Sequence, residues 1–196
     1  MDMLEYWFRE DLKLKCKRMW AILNPIKLII ENYPDDKQEV LNVPYNVKNE
    51  GLGSREITFS KELYIDAEDF MINPPNKYYR LFVGNEVRLM NAYFIKATRY
   101  DVDSNGNVTT VYATYDENTK QDGRQIDRKV KGTINFLDAK NCKPATIRLY
   151  ENLIDEEKGV YNDDGSLNLN PNSLVIKKGF VEPELLKLNL TIDFNL

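Results

Sequence analysis

Residues 87–115 constrain the fold more than any other part of the chain. Five odd positions across 87–97 are apolar and the polar Arg88 and Lys96 fall between them, and residues 109–115 show the same two-residue period. The apolar positions are Val87, Leu89, Tyr93, Ile95 and Ala97. This period is typical of β-strands that bury one face. Asn105 and Gly106, which lie between the two runs, favour a β-hairpin. We therefore predict that the chain is built around a long antiparallel hairpin.

The register of this hairpin follows from the need to keep both apolar faces on one side. A two-residue loop would pair Ser104 with Asn107 and would mix the two faces. A type I turn followed by Gly106 in the left-handed conformation instead pairs Asp103 with Asn107 and sets odd positions opposite odd ones. We predict this second geometry.

Composition places the chain among globular proteins rich in β-structure. Its 196 residues are 42% hydrophobic, enough for a buried core, and the twelve Tyr and eight Phe favour strands. The sequence shows no signal peptide and no apolar run of membrane-spanning length, so we expect a cytoplasmic protein without a membrane partner. In that compartment Cys16 and Cys142 are expected to be reduced thiols.

The net charge of -4 by itself argues against a nucleic-acid partner. The distribution of the charges along the chain is more informative about such a partner. Basic residues concentrate in two stretches, where they outnumber acids. The first stretch contains Lys77, Arg80, Arg88, Lys96 and Arg99, and the second contains Lys120, Arg124, Arg128, Lys129 and Lys131. The hairpin period places Arg88 and Lys96 together on its polar face. Clustered charges often mark only a solvated face, so composition alone leaves both interpretations open.

The absence of histidine excludes several kinds of chemistry. A chain without His has no His general base, no Ser-His or Cys-His nucleophilic pair and no His-ligated metal site. It also has no glycine-rich phosphate loop. Paired carboxylates remain formally possible, but no pair stands out.

The rest of the chain predicts one short helix and many short strands, which is typical of an all-β sandwich or barrel. An amphipathic helix is expected over residues 2–17, and Asp66 is expected to cap one further helical turn. Strands are predicted within 19–23, 26–30, 55–59, 62–65, 128–137, 145–153, 173–183 and 188–194. Residues 35–53 and 116–127 are predicted to be polar connections. A rigid joint at 73–76 and a long loop at 155–172 are candidate domain boundaries.

A series of short motifs resembles the C-terminal anticodon-binding region of glutaminyl-tRNA synthetase, in the order of that family and over nearly the whole chain. The motifs are Leu-Asn-Pro-Ile-Lys-Leu at 23–28, Glu-Asn-Tyr at 31–33, Gly-Ser-Arg at 53–55, Glu-Leu-Tyr-Ile-Asp at 62–66, Tyr-Arg-Leu-Phe-Val-Gly at 79–84, Glu-Val-Arg-Leu at 86–89, Asn-Ala-Tyr at 91–93, Thr-Tyr-Asp at 114–116, Lys-Val-Lys-Gly at 129–132, Ile-Arg-Leu-Tyr at 147–150, Ser-Leu-Val-Ile-Lys at 173–177 and Gly-Phe-Val-Glu-Pro at 179–183.

The resemblance implies two six-stranded β-barrels, of the kind also found in a ribosomal 5S-RNA-binding protein. Residues 1–17 would be the helical tail of a preceding domain. Residues 18–75 together with 165–196 would form a proximal barrel, and residues 76–164 would form a distal barrel inserted into it.

The family seats three unstacked anticodon bases in separate pockets, which suits single-stranded RNA because splayed bases expose their edges and faces. By this resemblance Arg18 would serve the middle base, Arg80 the third and Arg88 the first, since the planar fork of arginine grips a base edge or a phosphate. Lys77, Asn46 and Lys48 complete the expected anticodon-binding set. The chain departs from the family pattern at four places: Lys77 stands for Gln, Tyr79 for Lys, Met90 for Arg, and Tyr-Asn-Val at 45–47 for Asn-His-Pro.

The implied function is to bind the anticodon loop of the tRNA for glutamine. The His-Ile-Gly-His-like and Lys-Met-Ser-Lys-Ser-like motifs of the catalytic domain do not occur here. We therefore expect no catalytic residue, metal or cofactor in this chain, and expect it to be a monomeric portion of a longer ligase whose catalytic domain uses ATP and magnesium. Two alternatives remain: the same barrels from an archaeal or eukaryotic type of glutamyl-tRNA synthetase, or a non-enzymatic β-sandwich that binds carbohydrate or protein.

Overall fold

The computed structural model describes residues 2–121, 123, 126–154 and 159–187, which form one α-helix and twelve β-strands. The helix is α1 (Asp2–Lys15). The strands are β1 (Ala21–Ile22), β2 (Pro25–Ile30), β3 (Glu39–Pro44), β4 (Ser54–Phe59), β5 (Glu62–Asp66), β6 (Glu86–Leu89), β7 (Phe94–Val102), β8 (Val108–Asp116), β9 (Thr133–Ile134), β10 (Leu137–Asp138), β11 (Lys143–Tyr150) and β12 (Leu174–Val181). Short 3-10 turns lie at Glu50–Leu52, Ala67–Asp69, Glu117–Thr119 and Pro183–Lys187. The predicted all-β class is confirmed.

The largest sheet has seven strands in the order β10-β5-β2-β8-β7-β6-β9. Its strands are antiparallel except for the parallel pairs β2–β8 and β6–β9. Two further sheets are the hairpin β3–β4 and the three-stranded sheet β1-β12-β11. The large sheet curls around one cluster of buried side chains, which runs from Trp20 to Leu137 along the chain. The arrangement is that of a partly closed barrel.

The predicted division into proximal and distal barrels, with six strands each, stays a prediction. Strand β2 pairs with β8 over four positions, and Tyr33 packs edge to face on Tyr115 at 5.1 Å between ring centroids. Residues assigned to both predicted units therefore share a sheet and a core.

The central hairpin has the predicted turn. The amide of Asp103 donates to the carbonyl of Asn107 at 2.9 Å, and Gly106 has φ of 83°. The amides of Asn105 and Asn107 donate to the Asp103 carboxylate at 2.8 Å each, which together with the Asn107 side-chain amide lowers the pKa of Asp103. The predicted pairing of odd with odd positions is wrong over residues 99–101, because two register shifts in the β7–β8 ladder set Arg99 opposite Tyr112 and Asp101 opposite Thr110.

The prediction of one continuous strand across 87–97 is wrong. A tight turn separates β6 from β7, Asn91 takes φ of 58° within it, and Val87 pairs with Ile95. This pairing returns the odd positions of β7 to the face of the odd positions of β6, so the flanking strands show the same period on both sides of the turn. The turn itself interrupts the period, because Asn91 is polar at an odd position and the buried Ala92 and Phe94 are apolar at even positions.

Several other segments also differ from prediction. Residues 35–53 contain strand β3, in which Leu41 and Val43 are buried. The strand expected over 128–137 is two short strands, β9 and β10. The strand predicted within 145–153 ends at Tyr150, and Leu153 beyond it is exposed. The strand predicted at 188–194 lies outside the described residues.

Glu39, at the start of β3, interacts with four donor side chains beside the aromatic core. Its carboxylate accepts hydrogen bonds from Tyr33 and Tyr93 at 2.8 Å each and from Lys120 at 2.6 Å, and it pairs with Lys37 at 2.9 Å. Burial acts to raise the pKa of Glu39, but the hydrogen bonds outweigh it and lower that pKa to about 2. Burial and the bond to Glu39 raise the pKa of Tyr33.

A buried ion pair joins β4 to the residue that follows β12. Arg55 Nε lies 2.7 Å from Glu182 Oε1, and these side chains are 1% and 0% exposed. Arg55 also donates to the Pro44 carbonyl at 3.1 Å, and the amide of Glu182 donates to the Trp20 carbonyl at 3.2 Å. Burial raises the pKa of Glu182 although Arg55 opposes that shift. Each buried charge therefore lies against a charge of opposite sign.

Candidate nucleic-acid interface

Contacts place three of the predicted site residues, Arg18, Asn46 and Lys48, at the carboxyl end of α1. Asn46 is buried, and its Nδ2 donates to the carbonyls of Lys13 and Cys16 at 2.8 and 3.1 Å. Its Oδ1 accepts from the amide of Lys48 at 3.0 Å. Because the last carbonyls of a helix lack partners within it, Asn46 acts here as a cap. Its polar atoms are engaged inside the protein.

Arg18 and Lys48 at this helix end are exposed cations. The amide of Arg18 donates to the Tyr45 carbonyl at 2.9 Å, and its guanidinium reaches the Lys13 carbonyl at 3.3 Å. The Tyr45 hydroxyl donates to Glu184 at 2.7 Å, which anchors the residue whose carbonyl accepts from the Arg18 amide. Within the described parts of the chain, neither Arg18 nor Lys48 forms an ion pair.

The other three predicted residues, Lys77, Arg80 and Arg88, lie on the loop before β6 and on β6 itself. Arg80 forms an ion pair with Asp69, in which Arg80 Nη1 lies 2.7 Å from Asp69 Oδ1. The Asp69 side chain is 13% exposed. Burial raises the pKa of Asp69, and Arg80 acts against that rise. To contact RNA, Arg80 has to leave this carboxylate.

Arg88 differs from Arg80 because it has no carboxylate partner among the residues that the structure describes. It is half-buried, its Cζ lies 4.2 Å from the centroid of the Phe94 ring, and its Nη1 lies 3.5 Å from Gln121 Oε1. Burial lowers its pKa. A partly desolvated guanidinium without a counter-ion is suited to bind a phosphate or a base edge.

A cavity of about 530 Å³ lies between the loop before β6 and the loop before β9. Its lining combines cationic and aromatic side chains. It is lined by Lys77, Tyr78, Tyr79, Phe82, Asn85, Glu86, Lys129, Val130, Lys131 and Gly132. Lys131 Nζ lies 5.3 Å from the Tyr79 ring centroid. Such a volume is in the range of small-ligand pockets, and the lining offers both a stacking ring and cations.

Gly132 connects this cavity to Arg88. Its carbonyl accepts a hydrogen bond from the amide of Arg88 at 2.9 Å. A Cβ at position 132 would clash with the carbonyl of Tyr79. Only glycine lets these two backbone segments approach so closely, and the cavity is thereby placed beside β6.

Lys129 and Lys131, which the sequence identified only as part of a charge cluster, belong to the candidate site because they line the cavity. Arg99, from the other cluster, already has a partner within the chain. Arg99 pairs with Glu31 at 3.1 Å and stacks on Tyr112, with Cζ 3.3 Å from the ring centroid. Charge clusters along the sequence therefore do not show which cations are available.

No α-helix among the described residues has both the length and the apolar character needed to cross a bilayer. They also contain no group of three Cys, Asp or Glu side chains placed to hold a metal ion.

An all-β fold that presents unpaired cations beside aromatic rings is typical of proteins that bind single-stranded nucleic acid. Comparison with known families agrees with this class. Residues 16–116 match the family described as tRNA synthetases class I (E and Q), anti-codon binding domain, and residues 133–192 match a second model with the same description. The chain belongs to this family of anticodon-binding domains.

Curated relatives narrow the resemblance to one kind of enzyme. A glutamine-tRNA ligase of Clostridium perfringens is 51% identical over 186 residues, which cover 93% of this chain and 33% of that protein. Proteins with the same name from Clostridium kluyveri and Clostridioides difficile are 47% identical and cover 94% and 95% of this chain. The chain spans about a third of the length of these relatives, and the predicted resemblance to the anticodon-binding region of glutaminyl-tRNA synthetase is confirmed.

Proposed function

We propose that this chain binds the anticodon loop of the tRNA for glutamine, as the RNA-recognition part of a glutamine-tRNA ligase. The observation that carries the proposal is Arg88, a half-buried guanidinium without a carboxylate partner in the described structure, which lies beside a cationic and aromatic cavity. Phosphate and base edges are the groups that such an arrangement recognises.

We assign the nucleotide roles of the predicted residues from the resemblance to the family, and their contacts within the chain support what each of them can do. Arg88 reads the first anticodon nucleotide, and Arg18 reads the middle one from the exposed end of α1. Arg80 reaches the third nucleotide after it leaves Asp69, with Lys77 in the adjacent cavity. Lys48 contributes charge near Arg18, and Asn46 contributes indirectly because it caps α1 and fixes the loop of Lys48.

The parent enzyme supplies the chemistry. Its catalytic domain, which lies outside this chain, binds ATP and magnesium and joins glutamine to the tRNA. Helix α1 is suited to contact that domain, since its large apolar residues Trp7 and Phe8 are 64% and 59% exposed. We propose that the parent is a cytoplasmic monomer.

A second candidate is the tRNA for glutamate, because the matched family covers both amino acids. The relatives named above favour glutamine. A direct comparison of the two tRNAs separates these candidates.

Filter binding with transcripts of the two tRNAs tests the proposal. We expect the chain to bind the glutamine tRNA more tightly than the glutamate tRNA, with affinity that falls steeply as salt rises. Arg88→Gln should weaken binding by about 1 to 3 kcal/mol. Arg99→Gln, which removes the same charge from a cation already paired with Glu31, should have little effect. Equal binding of both tRNAs, or equal effects of the two substitutions, would contradict the proposal.

A further inference from the structure

Two carboxylates lie on the same face of the sheet as Arg88. In the ladders of β6, β7 and β8, Arg88 pairs with Phe94, and Phe94 pairs with Asp116. Glu86 lies two residues before Arg88 on the same strand, so their Cα atoms are about 7 Å apart and their side chains share a face. Each carboxylate is near enough to attract the Arg88 guanidinium or to repel a phosphate bound there.

Both carboxylates are held by one other residue, Arg128. Its Nη2 lies 2.7 Å from Glu86 Oε1 and 2.9 Å from Asp116 Oδ2, and its Nε donates to Glu86 Oε2 at 3.2 Å. Arg128 thus grips Glu86 with two parallel bonds and extends to Asp116. This is the fork geometry that arginine forms and lysine does not.

The two arginines meet at one aromatic ring. Arg128 Cζ lies 5.2 Å from the centroid of Phe94, and Arg88 Cζ lies 4.2 Å from it. Phe94 is 1% exposed, so the ring is covered by its neighbours and gives both side chains a fixed support. With Arg128 present, the nearby carboxylates are neutralised and Arg88 has no ion pair within the described residues.

We propose that Arg128 is a positioning residue for RNA recognition: it occupies Glu86 and Asp116 so that the Arg88 guanidinium stays available to the RNA. This inference rests on the proposed function. Without Arg128, Arg88 turns toward the freed carboxylates, and the face loses the positive charge that attracts a nucleotide.

The test is filter binding of a glutamine tRNA transcript to variants of the full chain. Arg128→Gln should weaken binding about tenfold, a loss comparable with that of one base-contacting arginine. The matched control is Arg99→Gln, which removes an equally exposed arginine from a similar pair with Glu31 and should change affinity less than twofold. Should Arg128→Gln fail to fold by circular dichroism, Arg128→Lys replaces it, since lysine keeps the charge but not the fork.

A rescue experiment separates positioning from direct contact. Adding Glu86→Gln to Arg128→Gln removes the carboxylate that competes for Arg88, and it should restore most of the affinity. Adding Glu31→Gln instead restores the same net charge elsewhere, and it should not. If Arg128→Gln does not weaken tRNA binding, Arg128 is not a positioning residue. The same conclusion follows if neither added substitution restores the affinity and the salt dependence of tRNA binding falls by about one charge, because Arg128 would then contact the RNA directly. If the unmodified chain does not bind tRNA, the proposed function itself fails.

Discussion

The Glu39 carboxylate allows a quantitative prediction about stability. In the folded chain the pKa of Glu39 is lowered from 4.5 to about 2, because four donors stabilise its ionised form against the effect of burial. One pKa unit corresponds to about 1.4 kcal/mol, so the ionised form contributes about 3 kcal/mol near neutral pH. The side chain is only 14% exposed, so water screens these interactions weakly.

The pH dependence has a defined sign. A carboxyl group whose folded pKa is depressed contributes fully above its unfolded pKa and loses that contribution as pH falls toward its folded pKa. The Glu39 contribution should therefore be complete above about pH 5 and should disappear between pH 4.5 and about pH 2.

Urea unfolding of the unmodified chain and of Glu39→Gln, measured from pH 7 to pH 2.5, tests this reasoning. We expect Glu39→Gln to be less stable by about 2 to 3 kcal/mol at pH 7, with a difference that shrinks as the pH falls. Asp35→Asn, which breaks an exposed pair with Lys61, serves as the control and should have little effect. A Glu39→Gln difference below about 1 kcal/mol at pH 7, or one independent of pH, would refute the account of this network.

Two further substitutions test other parts of the fold. Arg55→Met should destabilise the chain by about 3 to 5 kcal/mol in urea unfolding, because it leaves Glu182 buried without its partner. The double variant Arg55→Met with Glu182→Leu should recover most of that stability. No recovery in the double variant would contradict the importance of the pair. Gly132→Ala should lower the melting temperature and weaken tRNA binding together, because its methyl group forces the Tyr79 loop away from β6. Unchanged tRNA affinity in that variant would mean that the cavity beside β6 does not contribute to binding.

The sequence predicted the features that depend on local pattern. The turn at Gly106 was predictable because both apolar faces had to point the same way, and the cap at Asp66 was predictable from its residue type. The turn at Asn91 was not predicted, since the pairing of β6 with β7 keeps the odd-numbered apolar residues on one face on both sides of it. Local pattern thus predicted the turn and the cap that carry distinctive residue types, and it missed the turn that leaves the flanking apolar face unchanged.

The state of each site residue depends on contacts between distant parts of the chain. Arg80 and Arg88 look alike in the sequence, yet among the described residues Arg80 forms an ion pair, with Asp69, and Arg88 forms none. Asn46 reaches back across the sequence to cap α1, which no local motif signals. Lys129 joins Lys77 in one cavity because Gly132 lets their loops approach. The availability of a cation was therefore visible only in the folded structure.

The central claim is that Arg88 and the neighbouring cavity recognise bases of the anticodon loop. The most direct test is the affinity of this chain for an isolated anticodon stem-loop of the glutamine tRNA and for stem-loops with one anticodon base replaced. We predict that the isolated stem-loop competes with the whole tRNA and that each replacement weakens binding. We also predict that Arg88→Gln reduces discrimination at the first anticodon base most. Equal affinity for all the stem-loops, or discrimination that Arg88→Gln leaves unchanged, would contradict the claim.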